Sequence, residues 1–190
     1  MQLTDQQTLP VAQAQTWEAL NDLALLQTCI PGCESITAAG ENEYDVAVLA
    51  SVGPVKARFA GKLKLADIVP PTSYALQFEA KASAGHGKGS AAVRLEAIGP
   101  RETRLHYEAT ATVGGKLAQI GSRLVDMAAE KMATDFFERF RHALIERHGD
   151  AQAQADEAAA LAAAPHGMFG RLKAWLRRLG ERLRGRGNAH

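Results

Sequence analysis

The chain lacks most of the features that identify common enzymes and metal-binding proteins. Its 190 residues include only two cysteines, Cys29 and Cys33, and their C-x3-C spacing fits neither a C-x-x-C redox motif nor a four-ligand zinc site. The six histidines are scattered, and neither a G-x-x-x-x-G-K-[ST] phosphate loop nor a nucleophile elbow occurs. We therefore expect reduced cysteines, no metal site and no catalytic residues.

Long apolar runs and a secretory signal are also missing. No uninterrupted apolar segment approaches the roughly 20 residues that span a bilayer. The first residues alternate apolar and polar side chains, without the positively charged start of a signal peptide. We expect a cytoplasmic protein whose 46% hydrophobic content supports one domain with a proper core, plus an appendage.

The total charge is only +1, but it conceals two oppositely charged parts. From His166 to the end, seven Lys and Arg face one acid, Glu181, which gives a net charge of +6; the preceding part has 15 against 20, a net charge of −5. Apolar residues recur at helical spacing among these cations, a pattern typical of a helix lying among lipid headgroups. The predicted membrane-binding residues are Phe169, Leu172, Trp175, Leu176, Leu179 and Leu183 on the apolar face, and Arg171, Lys173, Arg177, Arg178 and Arg182 on the basic faces.

Magnitudes favour reversible attachment of this tail to the inner face of the cell membrane. Partly buried large apolar side chains contribute roughly 1 kcal/mol each, and basic residues near an anionic leaflet add about 1 kcal/mol apiece at best. Docking on a partner protein and packing against the body are the two alternatives. We expect no nucleic-acid partner, because the Trp and Phe share the stripe of leucines and form no stacking platform among the arginines.

The pattern before the tail indicates an α+β fold. Residues 2–9 alternate as a strand, and Pro10 suits the start of a short helix that is followed by a second over 22–27. Period-two alternation from Tyr44 to Val113 predicts five or six antiparallel strands with one apolar face. From Leu117 to Leu144, apolar residues step by three or four, which predicts one long helix across that face.

This order predicts a helix-grip domain over residues 1–147, a curved antiparallel sheet wrapped around a long C-terminal helix. An Ala-rich linker, 148–164, and the basic amphipathic tail, 165–190, follow. Within the long helix, Gly121 is expected to make room for the sheet or a ligand.

Small side chains on the apolar face predict a cavity between the sheet and the helix. A bent sheet packed tightly on a helix needs more volume than these residues supply; the alternative is that they let the helix approach closely. An apolar lining would hold an apolar occupant. The predicted lining residues are Val48, Ala50, Phe59, Gly61, Leu76, Phe78, Ala91, Tyr107, Ala109, Leu117, Ile120, Gly121, Leu124, Met127, Ala128 and Met132.

Four segments give the chain a recognisable relationship. Ile30-Pro31-Gly32-Cys33, Val52-Gly53-Pro54-Val55-Lys56, Gly87-Lys88-Gly89-Ser90, and above all the run from Gly114 to Leu124 followed by Phe136-Phe137 resemble the CoxG family, named for the G component of carbon monoxide dehydrogenase. The resemblance covers about residues 1–145 and implies the START-like (SRPBCC) helix-grip superfamily.

The resemblance implies a non-catalytic accessory protein of a molybdenum hydroxylase such as aerobic carbon monoxide dehydrogenase. Such a protein is expected to recruit the enzyme to the membrane and to bind a respiratory quinone, menaquinone or ubiquinone, or a similar lipid. Two alternatives stay open: a ligand-free membrane anchor for the dehydrogenase, and a cyclase-type enzyme, which would need inward-facing acid and base groups.

Overall fold

The computed structural model describes the backbone of residues 1–163 and the side chains of residues 1–149, and it confirms the helix-grip architecture. In chain order the elements are β1 (Gln2–Leu9), α1 (Gln13–Leu20), α2 (Leu23–Cys29), β2 (Cys33–Gly40), β3 (Glu43–Val52), β4 (Val55–Val69), β5 (Ser73–Ala82), β6 (Gly85–Gly99), β7 (Glu102–Gly114), α3 (Lys116–Gln119) and α4 (Ser122–Ala163). The tail predicted at 165–190, with all its membrane-binding residues, lies outside the described residues.

All seven strands form one antiparallel sheet in the order β1-β7-β6-β5-β4-β3-β2. Short turns join β2 through β7, so neighbours in the chain are neighbours in the sheet. The edge strands β1 and β2 are joined by α1 and α2. Because side chains alternate along each strand, one face of the sheet carries the apolar residues and the other the charges. We call these the inward and outward faces.

The short helices begin where polar groups satisfy their free N–H groups. The Asp22 carboxylate accepts from the N–H groups of Ala24 and Leu25, at 3.1 and 3.2 Å, and so caps α2. It also accepts from Arg147 of α4 at 2.7 Å, an ion pair that ties the short helices to the long one.

The hydrophobic core occupies one end of the domain, where α1, α2, β6 and β7 meet the middle of α4. Phe140 and Leu144 are 0% exposed there, and Thr103 donates to the Val11 carbonyl at 2.8 Å. Aromatic stacking of Phe136 on Phe140, with ring centroids 5.6 Å apart, adds to the packing. The buried members of this core are Leu9, Val11, Ala19, Leu20, Cys29, Val93, Leu95, Leu105, Tyr107, Phe140 and Leu144.

The predicted single helix from Leu117 is in fact two helices, and Gly121 lies outside both. α3 ends at Gln119, α4 begins at Ser122, and Gly121 between them has a φ of +93°. A Cβ at Gly121 would meet no atom within 4 Å. The expectation that Gly121 makes room inside a helix is therefore wrong; its backbone conformation is what favours glycine.

Candidate functional site

A cavity of about 250 Å³ lies between the inward face of β3, β4 and β5 and the helix α4. The helix contributes Met132 to its wall. The strand residues around it are Val46, Val48, Ala50, Phe59, Gly61, Lys62, Leu63, Phe78, Glu79 and Ala80.

The pairing of the strands brings these side chains together. Val48 lies opposite Phe59, and Val46 lies opposite Gly61, which pairs in turn with Ala80. At Gly61 an added Cβ would lie 2.8 Å from the Glu79 carbonyl oxygen, so the close approach of β4 and β5 requires glycine there. This gap in the wall of side chains is part of the cavity.

The chemistry of the lining is that of an apolar container. Lys62 and Glu79 occupy outward-facing register positions and are exposed, whereas their neighbours Gly61, Leu63, Phe78 and Ala80 face inward. Aromatic rings and a polarizable methionine suit a flat apolar guest. Hydrophobic transfer is therefore the interaction that this lining offers most.

Six of the sixteen predicted residues line this cavity: Val48, Ala50, Phe59, Gly61, Phe78 and Met132. Leu76, Ala91 and Ala109 lie on the same inward face, half-buried, in one cross-strand row beside the cavity. Whether any of them contacts a ligand stays a prediction.

Tyr107 lies instead in the packed core. It is 9% exposed and stacks on Phe137 with ring centroids 5.0 Å apart. Burial, with a smaller contribution from the charge of Asp5, raises its pKa. Tyr107 therefore belongs to the packed end of the domain, whereas the cavity lies at the other.

The remaining predicted residues lie around the start of α4. Leu117 of α3 is buried, Ile120 and Ala128 are half-buried, and Gly121 is the link already described. Leu124 and Met127 are 39% and 56% exposed. They face solvent at this end of the domain, although both belong to the apolar stripe from which the helix was predicted.

Three inward-facing lining residues, Val46, Leu63 and Ala80, were not among the predicted ones. Each continues the period-two alternation that placed Val48 and Phe78 on the inward face. The signal was therefore present in the sequence, and strand register alone would have found them.

The largest depression of the described residues, about 710 Å³, is a polar trough across the outward face. It runs between two rows of outward side chains, and one of these rows alternates in charge through Asp45, Lys62, Glu79 and Lys88. In the other row Lys64 donates to Glu43 at 2.8 Å, and this hydrogen bond lowers the pKa of Glu43 and raises that of Lys64. These groups neutralise one another in solvent, so the smaller apolar cavity is the better candidate site.

Residues 1–149 contain no cluster of three or more His, Cys, Asp or Glu side chains that could hold a metal ion. Cys29 and Cys33 are free thiols whose pKa values are raised by burial, as suits unreactive cysteines. Within the described part of the chain, no helix has the length and apolar content needed to cross a bilayer.

Comparison with known proteins gives one family and a set of similar folds. The family model of CoxG, the G component of carbon monoxide dehydrogenase, matches residues 6–145, more than half of the chain. No curated protein sequence shows a significant match. Among solved structures, a conserved protein from Geobacillus kaustophilus is 27% identical, with a TM-score of 0.74 over 77% of this chain and 96% of that one.

More distant structures share the fold alone. A START superfamily protein from Mycobacterium smegmatis is 8% identical, with a TM-score of 0.60 over 76% of this chain and 97% of its own. The Zhui aromatase/cyclase from Streptomyces sp. R1128 is 14% identical, with a TM-score of 0.59 over 78% of this chain and 94% of its own.

Proposed function

The chain belongs to the CoxG family of carbon monoxide dehydrogenase components, and on that basis we propose that it is a non-catalytic accessory protein of a molybdenum-containing hydroxylase such as carbon monoxide dehydrogenase. It binds a respiratory quinone or a similar apolar lipid in its cavity and recruits the enzyme to the inner face of the membrane. The apolar cavity between β3–β5 and α4 is the observation that carries this proposal.

The size of the cavity favours a ligand that is only partly enclosed. Pockets that bury most of a drug-sized molecule measure roughly 300–1,000 Å³, whereas this one measures about 250 Å³. An aromatic head or a few isoprene units fits that space, and the rest of a long lipid must extend beyond it. Each Å² of apolar surface taken from water contributes roughly 25 cal/mol to binding.

Ligand identity is tested on the full-length protein by native mass spectrometry and by uptake of menaquinone and ubiquinone. We expect a bound lipid after purification, or stoichiometric uptake of one of these quinones. Ala80→Leu, which adds three carbons inside the cavity, should abolish uptake, whereas Ala60→Leu adds the same group on the outward face and should not. A ligand-free protein that takes up neither quinone would contradict the proposal.

Membrane recruitment is assigned to residues 165–190. Flotation with liposomes that contain phosphatidylglycerol should require these residues, because they hold the predicted apolar and basic faces. Deleting them should leave the circular dichroism of the domain unchanged and abolish flotation. Flotation that persists undiminished after the deletion would remove the anchoring role from this segment.

The two alternatives predict different results in the same experiments. A ligand-free adaptor would show a stable complex with the hydroxylase and no effect of Ala80→Leu on any binding assay. A cyclase-type enzyme would need acid and base groups in the cavity, and its reaction would leave a chemically changed ligand in the mass spectrum.

A further inference from the structure

Three connections meet at the end of the domain opposite the core. They are residues 50–57 around the β3–β4 turn, 81–87 around the β5–β6 turn, and 113–125 from the end of β7 into α4, which together we call the basic rim. The Leu117 N–H donates to the Ala84 carbonyl at 3.1 Å, joining the second and third. A Cβ at Gly53 would lie 3.3 Å from Leu124 Cδ1, so the first and third also touch.

The basic rim has a charge opposite to the rest of the domain. It contains Lys56, Lys81, Lys116 and Arg123 and no Asp or Glu. The part of the chain before His166 carries 15 basic and 20 acidic residues, so once these four cations are set apart the remainder holds 11 against 20. Positive charge is thus concentrated at one end of a body that is otherwise acidic.

Exposed apolar side chains lie beside these cations. Leu124 and Met127, in the first turns of α4, are 39% and 56% exposed, whereas Phe140 and Leu144 on the same helix are 0% exposed. Pro54 at the tip of the β3–β4 turn is exposed as well. Large apolar groups ringed by Lys and Arg are the composition of a surface that enters the headgroup region of an anionic membrane.

The basic rim is continuous with the cavity. Ala50 belongs to both the cavity wall and the first connection of the rim, and Met132 follows Met127 by five residues, about 7.5 Å along the helix axis. Ala128, between them on α4, presents only a small side chain. A ligand that extends beyond the cavity toward this end reaches the exposed apolar residues.

We propose that the basic rim docks on an anionic lipid surface, with Leu124 and Met127 among the acyl chains, so that the cavity exchanges its ligand directly with the bilayer. The nature of the ligand rests on the function proposed above; the docking does not. A lipid surface is favoured over the predicted tail of this chain as the occupant, because that tail is itself basic and would be repelled by the rim. Each rim cation near an anionic leaflet strengthens binding up to roughly fivefold.

The docking is tested by measuring membrane depth at two positions of α4. Met127→Cys and Ile145→Cys are each labelled with a nitroxide in full-length Cys33→Ser protein; buried Cys29 is left in place. Ile145 is the matched control, because it is an apolar residue 49% exposed on the same helix, far from the rim. Vesicles contain phosphatidylcholine and phosphatidylglycerol in equal parts, and depth is obtained from collisions with oxygen and with a water-soluble nickel complex.

We expect the label at 127 to enter the acyl region and the label at 145 to stay in water. Both labels in water, or both at equal depth, would overturn the docking. So would a label at 127 shielded from both collision partners, because that result indicates coverage by the tail or by another protein.

A second measurement separates the docking from the identity of the ligand. Leu124→Glu with Met127→Glu should slow menaquinone uptake from the same vesicles by about tenfold or more, while Ile145→Glu leaves it unchanged. Uptake of menadione, a short quinone free in solution, should be the same in all three proteins. If the unmodified protein takes up neither quinone, the proposed function fails, and the label depths still decide the docking.

Discussion

The sign of one stability change tests whether the cavity is free space. Ala80→Leu adds three carbons beside Gly61, which has no side chain to oppose them. If they enter the cavity of about 250 Å³, they leave water without displacing any neighbour. At about 0.8 kcal/mol for each buried carbon, the free energy of unfolding should rise by up to about 2 kcal/mol.

The same replacement in a filled core should have the opposite effect. Ala19 is 0% exposed among the packed residues of the core. Three extra carbons there force neighbouring side chains out of place, and overpacking of this kind costs about 1–3 kcal/mol. Ala19→Leu is therefore the matched control for Ala80→Leu.

Urea unfolding of the delipidated proteins, followed by far-ultraviolet circular dichroism, measures both changes. Equal slopes with denaturant would show that neither variant alters the surface exposed on unfolding. If Ala80→Leu lowers the free energy of unfolding as much as Ala19→Leu does, the space between sheet and helix is already filled. The reasoning that leads to a ligand would then fail.

Three further predictions concern the packing, the backbone and one ion pair. Phe140→Ala, at a side chain that is 0% exposed, should lower the free energy of unfolding in urea by about 3–5 kcal/mol. Gly121→Ala should cost roughly 1–2 kcal/mol, from its φ of +93° alone, whereas Gly115→Ala should cost more, because its φ is +72° and the new Cβ would also lie 2.8 Å from a backbone atom. The hydrogen bond from Arg147 holds the pKa of Asp22 below its usual value, so the pair stabilises the fold at neutral pH and loses that effect as the pH falls through the carboxylate range. Asp22→Asn keeps a capping side chain, so its unfolding free energy should fall less on acidification than that of the unmodified protein; an equal fall would mean that the pair contributes nothing.

The sequence predicts the fold well where hydrophobic periodicity is strong. The strands from β3 to β7 and the turn at Gly53-Pro54 follow from period-two alternation and turn residues. Strand β2 is harder to predict, because Ile36 is its one buried residue and two register shifts interrupt its pairing with β3. Its small residues give no alternation to read.

The candidate site was predicted in part, for a related reason. Strand residues such as Phe59 and Phe78 were placed correctly, because alternation fixes which face they occupy. Leu124 and Met127 were not, because a helical stripe shows that residues share a side without showing what lies opposite them. How far the sheet extends along α4 depends on its curvature, which is a property of the whole sheet.

The uneven burial along α4 separates two kinds of stability. The segment around Phe140 is fixed by the core, so its release requires global unfolding, whereas the segment before Met132 faces a cavity and solvent. Local fluctuations there proceed at a free energy well below that of complete denaturation. Substitutions near the first turns of this helix can therefore tune the residence time of a guest while the melting temperature of the domain stays nearly constant.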